Sequence, residues 1–315
     1  MKLKALFTPL LLSLSILAHV PAMASDNKLD ISFVKAPFNL QVIVMKELGL
    51  LEKELKPLGV EVVWHEITSG AKQARAMAAG SLDVSSVMNT TSIQMAVAEG
   101  NPIKVVAGVS RPLDVFAVVA AKGGVTDIKS LKGKTVAGPK GTVLHQLLMA
   151  ALAKNGMSIR DVNFIQMDLG KAFAALQTGQ VDAALLSAAS LIKAEKSGCT
   201  VLTTAKGLVT PKLGVAASDS FIKKHPDQLA AVIKAHNDAW AWIEANHDKA
   251  IELGAREQKI DIEDAKKMFE WSYFTQTFNQ NDLESMNEDL EFMLANKMMR
   301  NRVDSKDIVL PQALR

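Results

Sequence analysis

Cysteine is almost absent from this 315-residue chain: Cys199 stands alone, so no intrachain disulfide can form and no cysteine near the amino terminus is available to carry a lipid. Aromatic residues amount to 5%, with Tyr273 the one tyrosine, which speaks against a stacking platform for nucleic-acid bases. An excess of one charge is missing too. Thirty-six Lys and Arg face 33 Asp and Glu, and two of those cations, Lys2 and Lys4, fall within the first 24 residues. No basic stripe remains to neutralise a run of phosphates, so no nucleic-acid partner is expected. The six histidines are scattered rather than clustered with cysteine, so neither a metal nor a cofactor is expected. There is no Gly-x-Ser-x-Gly elbow and no Walker-type phosphate loop, and the chain reads as a non-enzyme.

What is present begins with an export pattern. Lys2 and Lys4 precede a mostly apolar stretch from Ala5 to Val20, and Pro21-Ala22-Met23-Ala24 places small residues at a cleavage site. This layout predicts a cleaved signal over residues 1–24. Thr8, Pro9, Ser13, Ser15 and His19 interrupt the apolar run, which is short for a membrane span, and no second run of spanning length follows. An exported, unlipidated protein without disulfides suits a bacterial periplasm, and its fold must rest on its core. The 49% apolar content is ample for one, and 22% charged residues exclude a disordered tail protein.

Short apolar segments then alternate with helical patterns. Strands are expected at Leu29–Lys35, Val60–Ile67, Leu82–Val87, Ile103–Val109, Val115–Ala120, Thr135–Ala137, Val162–Met167, Val181–Leu186, Thr200–Thr203 and Leu213–Ala217. Helices are expected between them, including one over Gln41–Lys56. After residue 217 the pattern is helical, with main segments at Pro226–Asn246, Asp248–Glu257, Ile262–Trp271 and Leu283–Ala295. Such alternation implies crossover units and mainly parallel sheets. One unit occurs twice: a short helix leads to Gly80-Ser81-Leu82-Asp83, and a hundred residues later another leads to Gly179-Gln180-Val181-Asp182. This echo suggests two similar lobes. Ser110–Asp114 and Lys206–Lys212 are plausible crossings, making lobe 1 discontinuous (29–112 plus 213–315) and lobe 2 the insert (113–212).

Ligands of doubly wound sheets collect at the carboxyl ends of strands, where helix starts present unpaired N–H groups that favour anions. Gly141-Thr142 sits at such a start. Phe38 and Asn39 follow the first strand, and Phe38 could wall an apolar tail. Ser69 and Gly70 follow the second strand and offer hydroxyl and amide donors. Met88, Asn89 and Thr90 follow the third. Arg111 could grip an oxyanion through paired hydrogen bonds. His145 lies one turn into the helix begun at Thr142. Asp168 could meet a ligand amine, although capping the helix that follows is its commoner role. His65 and the helical aromatics Trp240, Trp242, Phe269, Trp271 and Phe274 read as packing residues. The 269–278 run FEWSYFTQTF carries no evident function.

Several segments resemble the periplasmic-binding family for sulfonates, taurine and nitrate, which also includes binders of thiamine pyrimidine precursors. The strongest is Leu131-Lys132-Gly133-Lys134-Thr135-Val136-Ala137-Gly138-Pro139-Lys140-Gly141-Thr142, followed by a helix ending at Asn155-Gly156-Met157. Gly80–Asp83, Gly179–Ala183 and Phe221–Asp227 resemble further family segments. The chain departs from the pattern at Met88-Asn89-Thr90-Thr91, where a Gly-x-x-Pro-like loop is usual, and at Ser187-Ala188-Ala189-Ser190, where an acidic-proline pair is usual; both places face the ligand in the family, which adds Ser187 to the candidate site. The resemblance implies an α/β, two-lobed periplasmic-binding-protein fold of type II, each lobe a mainly parallel sheet flanked by helices, with a helical C-terminal extension. It also implies a monomeric receptor that closes on a small-molecule ligand and delivers it transiently to an ABC permease in the inner membrane. The ligand expected is a small organic anion such as an aliphatic sulfonate or taurine; a thiamine pyrimidine precursor, another small polar nitrogen compound, or an enzyme on the same fold are the alternatives.

Overall fold

The computed structural model describes residues 27–315, so the segment read as a signal lies outside the described residues. Its ten strands are β1 (Lys28–Ser32), β2 (Glu61–His65), β3 (Val84–Asn89), β4 (Ile103–Ser110), β5 (Phe116–Ala120), β6 (Thr135–Gly138), β7 (Asn163–Gln166), β8 (Ala183–Ser187), β9 (Thr200–Thr204) and β10 (Leu213–Ser218). They form two five-stranded sheets, in the orders β2-β1-β3-β10-β4 and β7-β6-β8-β5-β9. β5 and β8 are buried along their whole lengths and are apolar almost throughout, as strands covered on both faces require.

One strand in each sheet opposes its neighbours: β10 pairs antiparallel with β3 and β4, and β5 pairs antiparallel with β8 and β9. These are the strands that follow the two passages from one sheet to the other. The chain leaves each sheet at a strand's carboxyl end, where Ser110 and Thr204 lie, and the next strand starts beside carboxyl ends of the other sheet. Phe116 pairs with Ser187 and Leu213 pairs with Asn89. The carboxyl ends of both sheets therefore face one crevice.

The repeated Gly-x-x-Asp unit does the same work in each sheet. Gly80 and Gly179 take φ of 69° and 70° after their helices, a left-handed turn that glycine adopts without steric cost. Asp83 then pins β1: its carboxylate accepts from the Asp30 N–H at 3.0 Å, and its own N–H donates to the Asp30 carbonyl at 2.9 Å. Asp182 repeats this on Thr135 of β6, at 2.8 Å and 3.0 Å.

Helices α1 (Leu40–Glu47), α2 (Leu50–Leu55), α3 (Gly70–Ala78), α4 (Thr90–Ala98), α5 (Val143–Lys154), α6 (Leu169–Gln177) and α7 (Ala188–Lys196) flank the sheets, with α8 (Asp219–Lys224) and α9 (Pro226–Ala245) following β10. The single helix expected over Gln41–Lys56 is two helices, because Gly49 at φ 60° breaks it. The extension comprises α10 (His247–Gln258), α11 (Ile262–Ser272), α12 (Gln280–Ala295) and α13 (Ser305–Ile308).

The aromatic run at 269–278 has a structural role. Its backbone lies along the free edge of β4: Gly108 N–H donates to the Gln276 carbonyl at 2.7 Å, Thr275 N–H to Val109 at 2.9 Å, and Arg111 N–H to Tyr273 at 3.0 Å. An edge strand is thereby covered. Phe274 packs between Trp240 and Phe269, with centroid distances of 5.5 and 5.2 Å, in keeping with the packing role read for these aromatics. Trp271 touches the hydrophobic cores of both lobes.

Polar groups secure the junction between the lobes. Arg111, at the first crossing, turns away from the crevice; its Nε donates to Asp282 Oδ1 at 2.7 Å, a second guanidinium nitrogen pairs with Oδ2, and that nitrogen also donates to the Thr277 carbonyl at 3.1 Å. At the return crossing Lys212 is completely buried, 3.9 Å from Asp289 of α12. Asp289 accepts from Gln146 of α5 at 2.6 Å, and Gln146 accepts from Thr91 of α4 at 2.7 Å. Burial pushes the Asp289 carboxyl up to about 6, against the pull of Lys212, and pushes Lys212 down.

Two stability predictions follow from this packing. Removing one partner of a buried ion pair strands the other, so Arg111→Met is expected to lower unfolding free energy by about 3 kcal/mol in urea titrations. His145 and His236 are both held at a pKa of about 4 instead of 6.5, mainly by burial. The unfolded chain therefore binds more protons than the folded one between pH 6.5 and 4, and each histidine's contribution, complete above pH 6.5, is lost through that window at about 1.4 kcal/mol per pH unit. Asp289, raised from 3.8, acts in the opposite sense below pH 6 and offsets part of the loss. Replacing His145 with Phe is expected to flatten the decline in unfolding free energy between pH 6.5 and 4.5.

Candidate functional site

A cavity of about 360 Å³ lies between the two sheets at their carboxyl ends. Lobe 1 supplies Val34, Ala36 and Pro37 after β1, residues 66–70 and Lys72 after β2, Val87–Asn89 at the end of β3, and Leu213 at the start of β10. Lobe 2 supplies Phe116 at the start of β5, Pro139 and Thr142–Leu144 after β6, Asp168–Gly170 after β7, and Ser187 at the end of β8. Its size is in the range of small-molecule sites, and most of its wall is apolar.

Five helices begin at this cavity: α3, α4 and, from the other lobe, α5, α6 and α7. The first N–H groups of a helix have no intrahelical partner and carry a partial positive charge, so five such starts around one small space favour a bound anion. The packing of α3 against α4 depends on Gly70. A Cβ there would stand 2.8 Å from Ser92 Oγ and 2.9 Å from Asn89 Nδ2, so only glycine lets the two helix starts approach so closely. Asn89 also caps α4, its Oδ1 accepting from Ser92 N–H at 2.9 Å.

The structure brings seven of the thirteen candidate residues to the cavity wall: Ser69, Gly70, Met88, Asn89, Thr142, Asp168 and Ser187. Thr142 spends its hydroxyl hydrogen on the Pro139 carbonyl at 2.9 Å. Asp168 stands at the start of α6 without making a side-chain cap; its carboxylate instead accepts from Lys72 Nζ at 2.7 Å, across the crevice.

The other six lie elsewhere, for identifiable reasons. Phe38 is part of the lobe 1 core, its ring against Gly254 of α10, so it does not wall the cavity. Asn39 folds its amide back to the Val34 and Ala36 carbonyls, both at 2.7 Å, and shapes the loop from behind. Thr90 is buried one position beyond the lining residues, with its N–H donating to the Lys212 carbonyl at 3.0 Å. Arg111 is committed to Asp282, as described. Gly141 docks on lobe 1, its carbonyl accepting from Ser92 Oγ at 2.8 Å. His145 is buried beneath the site against Phe164, with ring centroids 5.0 Å apart.

Sequence reasoning missed Lys72, Glu66, Phe116 and Leu213. The first two sit on segments already placed near the crevice, but Lys72 lies two residues past Gly70, a spacing that puts the two on different faces of α3, so no helical pattern pointed to it. Phe116 and Leu213 open the two antiparallel strands, and their positions depend on a strand direction that periodicity does not reveal.

The profile of a family described as NMT1/THI5 like matches residues 41–250. A Bacillus subtilis (strain 168) protein, assigned as an aliphatic sulfonates-binding protein, is 28% identical over 278 residues, covering 85% of this chain and 82% of its own. The taurine-binding periplasmic protein of Escherichia coli (strain K12) is 30% identical over 198 residues, 61% of each chain. Among solved structures, the alkanesulfonate-binding protein SsuA from Xanthomonas axonopodis pv. citri, bound to MOPS, superposes with a TM-score of 0.79 at 21% identity, covering 90% of this chain and 98% of that one. This last likeness establishes the periplasmic-binding-protein fold. With two thirds of its length matched by the family profile, and two binding proteins among its relatives, the chain belongs to the NMT1/THI5-like family.

Proposed function

We propose that this protein is a periplasmic solute receptor that captures a small organic anion, of the aliphatic sulfonate or taurine class, between its lobes and hands it to an ABC importer. The observation that carries this reading is the ring of five helix starts, drawn from both lobes, around one mostly apolar cavity. Such a space suits a ligand with a charged oxyanion head and a short organic tail. Neutral donors of this kind bind an anion without placing a buried cation in the site, which keeps the empty site stable.

Lobe 1 (29–112 plus 213–315) and lobe 2 (113–212) act as the two jaws. Ligand contacts on both jaws favour the closed form by their differential affinity for it, and the closed surface is what a membrane permease recognises. Ser69, Gly70, Met88, Asn89, Thr142, Asp168 and Ser187 form the binding wall. The protein works by capture and release, without turnover, and residues 1–24 direct its export to the periplasm. The names of two relatives, both binding proteins and one of them periplasmic, support capture and a periplasmic location.

Calorimetric titration with a panel of alkanesulfonates and taurine tests the reading. At least one is expected to bind with a 1:1 stoichiometry and to reduce the radius of gyration in solution scattering. Folded protein that binds none of them would overturn it. Gly70→Ala, which forces the starts of α3 and α4 apart, is expected to weaken binding about tenfold while leaving the circular dichroism spectrum unchanged.

A further inference from the structure

The crevice holds charged groups of both signs, and their pairing bears on which sulfonate fits. Two carboxylates line the cavity, Glu66 from lobe 1 and Asp168 from lobe 2. Either could neutralise a ligand ammonium group, which would otherwise enter an apolar space at a high cost. Both already face a lysine, Asp168 more closely, since Lys35 is shared between Glu66 and Glu257. Glu66 pairs with Lys35 at 3.7 Å, and Asp168 pairs with Lys72 at 2.7 Å. Lys72 itself lines the cavity, so the pair stands across the space that a ligand occupies. The remaining wall includes Val87, Met88, Phe116, Leu144 and Leu213, which suit a hydrocarbon tail.

We infer that Lys72 is a specificity-determining residue: by occupying Asp168 it excludes ligands with a cationic tail, so the site selects sulfonates with uncharged aliphatic tails over aminosulfonates. The inference rests on the receptor reading above and narrows it. The Lys72–Asp168 pair spans the lobes, so any loss of Lys72 also weakens closure on every ligand. That common effect cancels in the ratio of affinities for two ligands, whereas the occupancy of Asp168 does not. Both side chains are about half exposed, at 48% and 52%, so solvent screening moderates the discrimination they supply.

The experiment is calorimetric titration of the full mature protein with 1-butanesulfonate and with taurine, which share the sulfonate head, while taurine's tail is one heavy atom shorter and ends in an ammonium group. The wild-type protein is expected to bind butanesulfonate about tenfold more tightly or better. Lys72→Met, which keeps the aliphatic stem and frees the Asp168 carboxylate, is expected to move the affinity ratio about fivefold toward taurine, the scale of one partly exposed charge pair. Adding Asp168→Asn to that variant should return the ratio to its wild-type value. Equal or tighter binding of taurine by the wild-type protein overturns the inference alone. So does a ratio unchanged in Lys72→Met, because a latch without selectivity lowers both affinities in parallel. Failure of the wild-type protein to bind either sulfonate overturns the receptor reading and this inference together.

Discussion

Because β5 and β10 each enter their sheet from the opposite lobe, both run against their neighbours, and this forces the carboxyl ends of the two sheets to look at each other. The geometry of the site descends from that constraint. Helices begin where parallel strands end, so facing carboxyl ends bring five helix starts to one crevice. A single sheet would offer such starts on one side of a ligand only. Two opposed sheets surround it, and the electrostatic preference of each helix terminus adds to that of the others.

The junction is built differently from the lobes. Each lobe packs an apolar core around its sheet. The groups that join them are polar and buried or partly buried: Thr91, Gln146, Asp289 and Lys212 link α4, α5, α12 and the return crossing, and Arg111 with Asp282 ties the first crossing to the start of α12. Burying such groups is costly, and apolar residues of similar volume would serve stability at least as well. What directional bonds supply instead is a defined geometry for the two crossings. The C-terminal extension thus holds the crossings in place while its aromatic run closes the edge of β4.

All ten strands of the structure were legible in the sequence as short apolar segments, as was the repeated Gly-x-x-Asp turn, whose role in pinning β1 and β6 rests on local chemistry. Position along the chain also located the loops of the site, because residues following a strand must lie at its carboxyl end. Side-chain direction was harder to read. Phe38 and His145 occupy the correct segments but face the core, and Arg111 finds a partner 171 residues away in a helix that no local pattern connects to it. Lys72 presented no motif at all, since an ion pair between lobes becomes visible only when both are assembled.

Trp271 offers an unplanned advantage to anyone following this molecule in solution. Its indole belongs to α11 yet rests on apolar surface from both halves of the structure, with the Lys267 ammonium 4.3 Å from its ring. A change in the angle between the halves alters what surrounds that ring, because its contacts come from both. The protein therefore carries an intrinsic fluorophore in contact with both halves, and in a variant without its other three tryptophans the colour of the emission can serve as a goniometer without any label being attached.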